Sequence, residues 1–400
     1  DYGGSFVTDG CFQSNSSCII NTNFNPGDGG KYNFQRNNNR FGTYRMRHDS
    51  NANLVDLSAL DSNGRGNEIF YLANGSFQCN WNNSSTYTAI QYCTEAGLSV
   101  CSRRNPNEFE FEHDGYSFPG NTTFPPKIAG FGGYAVTLAN TPFILGGRST
   151  NGVYTLKSTG RHGYTFFGGY DVDAWLLHDS INRNLYVPLG VNLQNRLSFL
   201  GNSMTSNAAN YIPRTVANLG YDFAVNWAGV PGYTLSQVSY LFDTQMTKYR
   251  TNAYRNDIIT ITELTNTMAG NGSNATQTYN ELVALCQKVR PYFSKIIVTT
   301  MLPRNPSLIN NANRQNDSNL LDSATLNGMI RNTPLGNSTW DGVADWGSDP
   351  IMGIYSNGVA GVGEKNTTYY GVDEIHPTNP TGYNRLADTY NSPTITSLLI

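Results

Sequence analysis

The sequence predicts an α/β fold with a parallel sheet over residues 193–400, preceded by a β-rich region over residues 1–192. Two observations indicate this division. After residue 197, short apolar runs alternate with segments of helical spacing, which is typical of a parallel sheet covered by helices on both faces. Before residue 193, the apolar runs are short, aromatic or β-branched, and separated by Gly and Asn, which is typical of strands joined by turns.

The first 192 residues contain no helix-period stretch of convincing length, so we expect strands and turns there. The predicted strands include residues 109–111, 134–138, 153–156, 164–167 and 185–187. Several aromatic residues of this region could stack on sugar rings, or could pack in its core. They are Trp81, Tyr87, Tyr92, Tyr116, Tyr164 and Tyr170. We therefore expect an accessory domain that serves carbohydrate binding or assembly.

The second region begins with a strand at residues 197–200. Further predicted strands are residues 221–227, 257–264 and 295–300, and the predicted helices are residues 207–219, 234–250, 276–292 and 319–331. Ser203, Gly232 and Asn266 each follow one of the first three strands. Because parallel strands end at the same edge of a sheet, these residues should meet there. The long stretch at residues 333–370, rich in Gly, Asp and Asn, is expected to form a wall beside them.

A candidate nucleophile lies directly after the first of these strands. The apolar run ends at Gly201, and Ser203 follows two residues later, before the helical segment at residues 207–219. This order places Ser203 at the carboxyl end of a strand, where open α/β folds hold their chemistry. The alternative is that Ser203 caps the helix, because serine is an ordinary N-cap residue.

The one histidine that follows Ser203 in the chain is His376. If an imidazole from the same domain activates Ser203, His376 has to be the base. Asp373 lies three residues earlier and could accept a hydrogen bond from the ring Nδ1, which would fix the tautomer and stabilise the imidazolium. The sequence therefore predicts a catalytic triad of Ser203, His376 and Asp373. The alternative is that His376 is a surface or packing residue.

These two segments resemble the first and last sequence blocks of the SGNH (GDSL-like) hydrolases. Residues 227–234 resemble the glycine block of that family, with Gly232 at the position whose backbone N–H points into the oxyanion hole. Residues 261–267 resemble the third block, in which Asn266 matches the asparagine that supplies a side-chain donor. The blocks occur in the family's order, and the resemblance extends over about residues 193–400.

The resemblance implies a three-layer α/β/α fold and ester hydrolysis through an acyl enzyme, without a metal ion or an organic cofactor. It also implies an oxyanion hole made of the backbone N–H groups of Ser203 and Gly232 and the side-chain amide of Asn266. The family includes esterases, lipases, thioesterases and carbohydrate O-acetylesterases. The resemblance therefore indicates the class of bond better than the substrate.

Three residues depart from the family's usual pattern. The first block has Asn202 in place of aspartate, and the third block has Leu264 and Thr267 where glycine and aspartate are usual. These departures motivate a different hypothesis, in which the chain is a receptor-binding protein on a hydrolase scaffold that has lost its activity. The presence of all three predicted triad residues argues against it.

The amino-acid composition limits which binding partners are expected. Only 14% of the residues are charged and the formal net charge is -3, so no basic patch favours binding to nucleic acid or to acidic lipid. No apolar run approaches the roughly 20 residues that a membrane-spanning helix needs. Because the chain begins with Asp1 rather than methionine, we expect it to be a processed or truncated piece.

Six cysteines are present, and five of them lie within the first 101 residues. They are Cys11, Cys18, Cys79, Cys93, Cys101 and Cys286. They could form the disulfide framework of a secreted domain with one member left over, or they could be free thiols. Zinc binding is not expected, since the cysteines have no paired C-x-x-C spacing and no cluster of histidines beside them.

For the substrate, we favour O-acetyl groups on a polysaccharide, because the sequence lacks a long apolar lid and devotes half its length to an aromatic, β-rich region. This organisation looks like that of a phage tailspike or tail-fibre deacetylase that acts on bacterial capsule or O-antigen. Such a protein would be found at the virion surface, with a homotrimer as the expected assembly. The alternatives are a secreted microbial carbohydrate esterase and a viral haemagglutinin-esterase.

Overall fold

The chain divides into two compact units. The first comprises Asp1–Gln194, Tyr221–Asn226 and Tyr249–Arg255, and the second comprises Asn195–Gly220, Trp227–Lys248 and Asn256–Ile400. The computed structural model describes residues 5–6, 12–13, 20–26, 38–47, 54–60, 66–71, 77–83, 87–89, 97–105, 108–113, 116–117, 143–145, 148–150, 153–155, 161–169, 171–189, 195–206, 211–219, 223–246, 256–270, 272–304, 318–336, 339–356 and 359–399.

The first unit is rich in short antiparallel strands. They are β1 (Ser5–Phe6), β2 (Phe12–Gln13), β3 (Ile20–Asn21), β4 (Asn39–Arg47), β5 (Leu54–Leu60), β6 (Gly66–Tyr71), β7 (Phe77–Asn83), β8 (Tyr87–Ala89), β9 (Gly97–Asn105), β10 (Glu108–His113), β11 (Tyr116–Ser117), β12 (Ile144–Leu145), β13 (Arg148–Thr150), β14 (Val153–Thr155) and β15 (Arg161–Gly168). Among the described residues, one sheet has the order β1-β2-β15-β4-β9-β10-β11, a second has the order β3-β12-β5-β6-β7-β8, and β13 pairs with β14.

The larger sheet of this unit is covered on both faces. Phe41 and Phe167 are paired across β4 and β15, and both rings contact Phe143, which precedes β12 of the second sheet. Tyr44 and Phe166 point to the opposite face and pack in a separate apolar cluster. Since successive residues of a strand alternate between faces, this arrangement explains the aromatic runs of the region by packing. Among the aromatic residues proposed for sugar stacking, Tyr164 packs against this second cluster, and the other five side chains lie outside the described residues.

Contrary to the prediction, the first unit contains a helix. The helix α1 spans Ala174–Ile181 and continues as a π-helical turn over Asn182–Tyr186, so the strand predicted over residues 185–187 is wrong. Its core-facing residues occur at every fourth position and are at most 4% exposed; they are Ala174, His178, Asn182 and Tyr186. Two of these four are polar, whereas Leu176 and Leu185 are exposed. The hydrophobic pattern therefore lacked the helical period. The predicted strand at residues 134–138 lies outside the described residues.

The second unit has a parallel sheet and helices. The strands of this sheet are β16 (Asn195–Gly201), β17 (Phe223–Gly229), β18 (Asp257–Thr262), β19 (Lys295–Thr299) and β20 (Gly342–Ala344), in the order β17-β16-β18-β19-β20. The first four residues of β17 are grouped with the first unit. Its helices are α2 (Ile212–Asn218), α3 (Leu235–Leu241), α4 (Thr265–Gly270), α5 (Ala275–Val289), α6 (Ser318–Asn332), α7 (Thr381–Tyr390) and α8 (Pro393–Leu399). Among the described residues, no helix is both long enough and apolar enough to cross a bilayer.

Helices cover both faces of this sheet. Every residue from Leu197 to Gly201 in β16 is buried, as expected for a strand that is covered on two sides. On one face, the Phe199 ring contacts Tyr390 of α7, whose hydroxyl is 2.7 Å from Thr260 Oγ1 of the neighbouring strand. On the other, α3 packs on β16 and on α5, and α5 packs on α6. The predicted fold class, an α/β fold with a parallel sheet preceded by a β-rich region, is confirmed.

The structure also shows the chemical state of two of the six cysteines. Cys101 forms a disulfide bond, whereas Cys286 on α5 is a buried free thiol. Burial raises the pKa of the Cys286 thiol to about 12, which keeps it protonated and unreactive at neutral pH. The side chains of the other four cysteines lie outside the described residues.

At the end of β16, Gly201 permits a close approach between two strands and the turn that follows. A Cβ atom at this position would lie 2.6 Å from Thr205 Oγ1 and closer still to Thr262 Oγ1. These two threonine hydroxyls are buried and hydrogen-bonded to each other. Any larger residue would therefore displace the turn that carries Ser203.

We predict that Gly201→Ala lowers the free energy of unfolding by about 1–3 kcal/mol, the usual cost of overpacking. Chemical denaturation followed by circular dichroism measures it. Gly328→Ala is the matched control, because Gly328 lies within α6 and no atom lies within 4 Å of the position that an alanine methyl group would take there. In that helix, alanine should increase stability by roughly 0.5–1 kcal/mol. An unchanged stability of Gly201→Ala would contradict the account of this contact.

Candidate active site

Ser203 lies in a tight turn after β16 and is well separated from α2, which begins at Ile212. The side-chain oxygen of Asn202 accepts a hydrogen bond from the N–H of Met204 at 2.8 Å, and its carbonyl oxygen accepts one from the N–H of Thr205 at 3.0 Å. These bonds fold the chain around Ser203. The alternative that Ser203 is the N-cap of the following helix is therefore wrong.

The loop that carries His376 is closed by its own backbone. A bridge between Tyr370 and Pro377 joins its two ends, and the N–H of Gly371 donates to the carbonyl oxygen of His376 at 2.7 Å. Glu374 adopts a φ of 52°, which is uncommon for a residue other than glycine. The loop thereby turns back on itself, and the side chains of Asp373 and His376 come together.

The structure brings the three predicted triad residues into one hydrogen-bonded chain. Ser203 Oγ is 2.7 Å from His376 Nε2, and His376 Nδ1 is 2.6 Å from Asp373 Oδ2. The other oxygen of Asp373 accepts hydrogen bonds from the N–H groups of Ile375 and His376 at 3.1 and 3.0 Å. All three side chains are close enough for proton transfer between neighbours.

The environment of Asp373 fixes the proton positions. Burial alone would raise its pKa, but the hydrogen bonds from the His376 ring and from two backbone N–H groups outweigh burial and hold the pKa below its usual value. Asp373 is therefore ionised at neutral pH and can only accept. His376 Nδ1 has to be the donor, which leaves Nε2 of the neutral ring free to accept the proton of Ser203.

Three hydrogen-bond donors lie around the Ser203 hydroxyl. They are the backbone N–H groups of Ser203 and Gly232 and the side-chain amide of Asn266. Gly232 has a φ of 79° at the third position of a turn that the N–H of Tyr233 closes onto the carbonyl oxygen of Val230 at 3.2 Å. This is a type II turn, which requires a left-handed residue at that position. Within the described part of the chain, neither the Ser203 N–H nor the Gly232 N–H has an intramolecular acceptor.

The third donor is the side chain of Asn266 at the start of α4. Its Nδ2 donates one hydrogen bond to the carbonyl oxygen of Tyr233 at 3.0 Å. An amide nitrogen carries two hydrogens, so one remains available to a ligand. The bond also joins the loop after β18 to the loop that holds Gly232.

Ser203, Gly232, Asn266 and His376 all line one cavity of about 200 Å³. A further part of the lining, which the sequence did not predict, consists of residues 299–304 at the end of β19 and just after it. Trp346 adds to the lining and comes from the stretch at residues 333–370 that was predicted to form a wall. Because β19 runs parallel to β18, and β18 runs parallel to β16, the carboxyl ends of these strands lie at the same edge of the sheet.

A buried glutamate that the sequence analysis did not single out connects the loops of the site. Glu263 is 1% exposed and follows β18. Its Oε1 accepts hydrogen bonds from the N–H and the hydroxyl of Thr267 at 2.7 and 3.0 Å. Its Oε2 accepts one from Asn202 Nδ2 at 2.5 Å and a longer one from the N–H of Asn266 at 3.4 Å. One carboxylate therefore holds the residue before Ser203 and the loop of Asn266.

The same cluster extends to the third loop and accounts for two departures from the SGNH pattern. Thr267 Oγ1 accepts a hydrogen bond from the N–H of Leu235 at 2.7 Å, which fixes the start of α3 just after Gly232. Asn202 and Thr267 stand where the family usually has aspartate, and both donate to Glu263. An ionised aspartate has no hydrogen to donate, so these two substitutions supply the donors that a buried carboxylate needs.

We predict that Glu263→Gln makes stability less dependent on pH. Burial raises the pKa of Glu263 from 4.5 to about 7, so the folded chain retains a proton that the unfolded chain has released. The stabilisation that this retained proton gives to the folded chain is complete below about pH 4.5. It is lost as the pH rises through about 7. Because glutamine cannot ionise, the variant does not lose stability in this way as the pH rises.

Urea unfolding at about pH 5 and about pH 8 measures the effect. Over that interval, the unmodified chain should lose up to about 3 kcal/mol more unfolding free energy than Glu263→Gln. Glu281→Gln, which changes a glutamate on α5 outside the cluster, is the control and should behave like the unmodified chain. Parallel pH profiles for the unmodified chain and Glu263→Gln would contradict the prediction.

No protein-family model matches the chain, and the search of curated proteins found no match. Solved structures similar to this chain include a member of the lipolytic protein G-D-S-L family from Veillonella parvula, which is 15% identical over 49% of this chain and 96% of that chain, with a TM-score of 0.36. A GDSL-like lipase from Bacteroides thetaiotaomicron is 18% identical over 57% of this chain and 98% of that chain, with a TM-score of 0.38. An acetyl xylan esterase is 16% identical over 51% of this chain and 100% of that chain, with a TM-score of 0.36. Identities and TM-scores this low assign no function to this chain.

Proposed function

We propose that the chain is a serine esterase of the SGNH type, which hydrolyses carboxylic esters. The observation that carries this proposal is the hydrogen-bonded chain from Ser203 Oγ through the His376 ring to Asp373. It lines a cavity beside backbone N–H groups that have no acceptor within the described residues. A nucleophile, a base, an orienting carboxylate and free donors in one place are the parts that acyl transfer requires.

In the first half of the proposed reaction, Ser203 Oγ forms a bond to the ester carbonyl carbon while His376 Nε2 takes the hydroxyl proton. The electron pair of the C=O π bond moves to the oxygen, which becomes the oxyanion. The N–H groups of Ser203 and Gly232 and the free hydrogen of the Asn266 amide stabilise it. When the C=O bond re-forms, the bond to the alcohol oxygen breaks, and that oxygen receives the proton from His376.

In the second half, water attacks the acyl enzyme along the same path. His376 Nε2 takes one proton from the water as its oxygen bonds to the acyl carbon, and it returns that proton to Ser203 Oγ as the ester bond to the enzyme breaks. Asp373 remains ionised throughout, because its lowered pKa keeps the charge that stabilises the imidazolium. The products are the free acid and the regenerated serine.

For the substrate, we propose O-acetyl groups of a bacterial surface polysaccharide. The cavity of about 200 Å³ is smaller than the roughly 300–1,000 Å³ of sites for drug-sized ligands, which favours a short acyl group over a fatty acyl chain. The side chains of His376 and Asp373 are 38% and 43% exposed, so the alcohol part of a polymer can reach them. Acetate released from purified capsule and O-antigen polysaccharides, detected by NMR, tests this substrate class.

We also propose that the protein acts outside the cell as part of a phage tailspike at the virion surface, where it would be a homotrimer. The support is its organisation, with a unit of antiparallel sheets preceding a unit that holds a complete candidate site. A secreted microbial carbohydrate esterase is the alternative. Sedimentation analysis distinguishes the two, because a monomer would argue against the tailspike.

We predict that Ser203→Ala lowers the turnover of p-nitrophenyl acetate by several orders of magnitude while the fold stays intact. Without the nucleophile, only oxyanion stabilisation and binding remain. Ser294→Ala is the matched control, because that hydroxyl bonds to the Asp257 carbonyl oxygen at the start of β18, at the other end of the sheet. Activity of Ser203→Ala within about tenfold of the unmodified chain would contradict the assignment. An unmodified chain without activity would favour the inactive-scaffold hypothesis.

We predict that Asn266→Ala lowers kcat by about 10²–10³, the usual effect of removing one oxyanion donor, with little change in KM. The comparison uses p-nitrophenyl acetate under single-turnover and steady-state conditions. Asn218→Ala removes an exposed amide that donates to Asp388 and serves as the control. A normal kcat for Asn266→Ala would mean that another group, such as the hydroxyl of Thr265, completes the oxyanion hole.

A further inference from the structure

The wall of the cavity carries a positive charge that the proposed ester hydrolysis does not use. Arg304 lies on the stretch after β19 and lines the same cavity as Ser203. Among the described residues that line the cavity, it is the only one from the group of Asp, Glu, Lys and Arg. The rest of that lining, apart from His376, is neutral. A single fixed charge in a small neutral cavity strongly influences which ligands enter.

Within the described residues, the guanidinium of Arg304 has no protein partner. Its Nε is enclosed and makes no hydrogen bond, and no carboxylate forms an ion pair with it. Arg304 is partly buried, and enclosing part of a charged side chain without a partner has a cost in free energy. The described residues therefore supply no partner for this guanidinium, and a ligand in the cavity can serve as one.

Two carboxylates of the described residues act on Arg304, and both are engaged elsewhere. Glu263 and Asp373 act on Arg304 through space and raise its pKa, whereas burial, the larger effect, lowers it. Both oxygens of Glu263 accept from Asn202, Asn266 and Thr267. Both oxygens of Asp373 accept from His376, and one of them also accepts from Ile375. Among the described residues, neither carboxylate forms an ion pair with Arg304, so the guanidinium remains available to a ligand in the cavity.

We propose that Arg304 binds an anionic substituent of the substrate, so that the preferred substrate is an O-acetylated acidic sugar. The planar guanidinium donates two parallel hydrogen bonds to a carboxylate or a sulfate group. The inference rests on the proposed ester hydrolysis and adds the charge of the sugar to it. Recognition of this kind fixes the ring that carries the acetyl group relative to Ser203, which a neutral cavity wall cannot do.

Binding to a variant without the nucleophile tests the inference separately from catalysis. The probes are the mono-O-acetyl methyl glycosides of galacturonic acid, of galactose 6-sulfate and of galactose, which differ only in the anionic group. Calorimetric titration of Ser203→Ala should give at least about tenfold tighter binding for one or both anionic probes than for the neutral probe. The probe that binds better identifies the anion as a carboxylate or a sulfate.

In the double variant with Ser203→Ala and Arg304→Gln, this preference should fall by about tenfold or more, and Arg304→Lys should restore part of it. Arg214→Gln, added to Ser203→Ala, removes the same charge from an exposed position beside Asp388 and should keep the preference. Equal binding of charged and neutral probes to Ser203→Ala would overturn the inference, as would a preference that persists without Arg304.

Hydrolysis of p-nitrophenyl acetate by the unmodified chain tests the esterase proposal itself. If this ester is cleaved but the acidic probes show no advantage in binding, the esterase proposal stands and the role of Arg304 is wrong. If the acidic probes bind through Arg304 but no ester is cleaved, the anion site stands and the esterase proposal is wrong. The two failures therefore give different results.

Discussion

The carboxylate of Glu263 is the point on which the geometry of the candidate site depends. It is buried, and it accepts hydrogen bonds from the segments that follow two neighbouring strands, at Asn202 and at Thr267. Through the Thr267 hydroxyl, the cluster also fixes the N–H of Leu235 and so the segment after Gly232. A buried carboxylate without donors would be costly, and the same donors that satisfy it hold the three loops in register.

The second half of the site is supported independently. The loop from Gly371 to His376 is closed by its own backbone bonds, and the Tyr370 hydroxyl at its base donates to the carbonyl oxygen of Met352. The Ser203 turn and this loop meet at the 2.7 Å contact between Ser203 Oγ and His376 Nε2. Since each partner is held by its own network, the alignment of the two does not depend on this one hydrogen bond. Such preorganisation is what acyl transfer needs, because it avoids reorganisation during the reaction.

The parts of the site that could be predicted from the sequence share a local signal. Ser203 follows a strand and a glycine, and Asp373 and His376 lie three residues apart on one loop, so short spacings identify them. Glu263 and Arg304 have no such signal. Glu263 continues an apolar strand. Three of its four donors lie within four residues of it, and the fold brings in the fourth from Asn202, 61 residues away. The same limit applies to α1, where His178 and Asn182 occupy buried positions and conceal the helical period.

The charges around the cavity explain how a site with two carboxylates could accept an anionic ligand. The negative charge of Asp373 faces the His376 ring and two N–H groups, and Glu263 faces Asn202 and Thr267. Both carboxylates therefore accept hydrogen bonds from their own donors, and burial raises the pKa of Glu263 to about 7, so that part of its population is protonated at neutral pH. Arg304, in contrast, lines the cavity itself. In the proposed binding mode, an anion contacts the Arg304 guanidinium, while the two carboxylates keep the donors that already bond to them. The proposed mode thus combines an ionised triad with attraction for an acidic substrate in one small site.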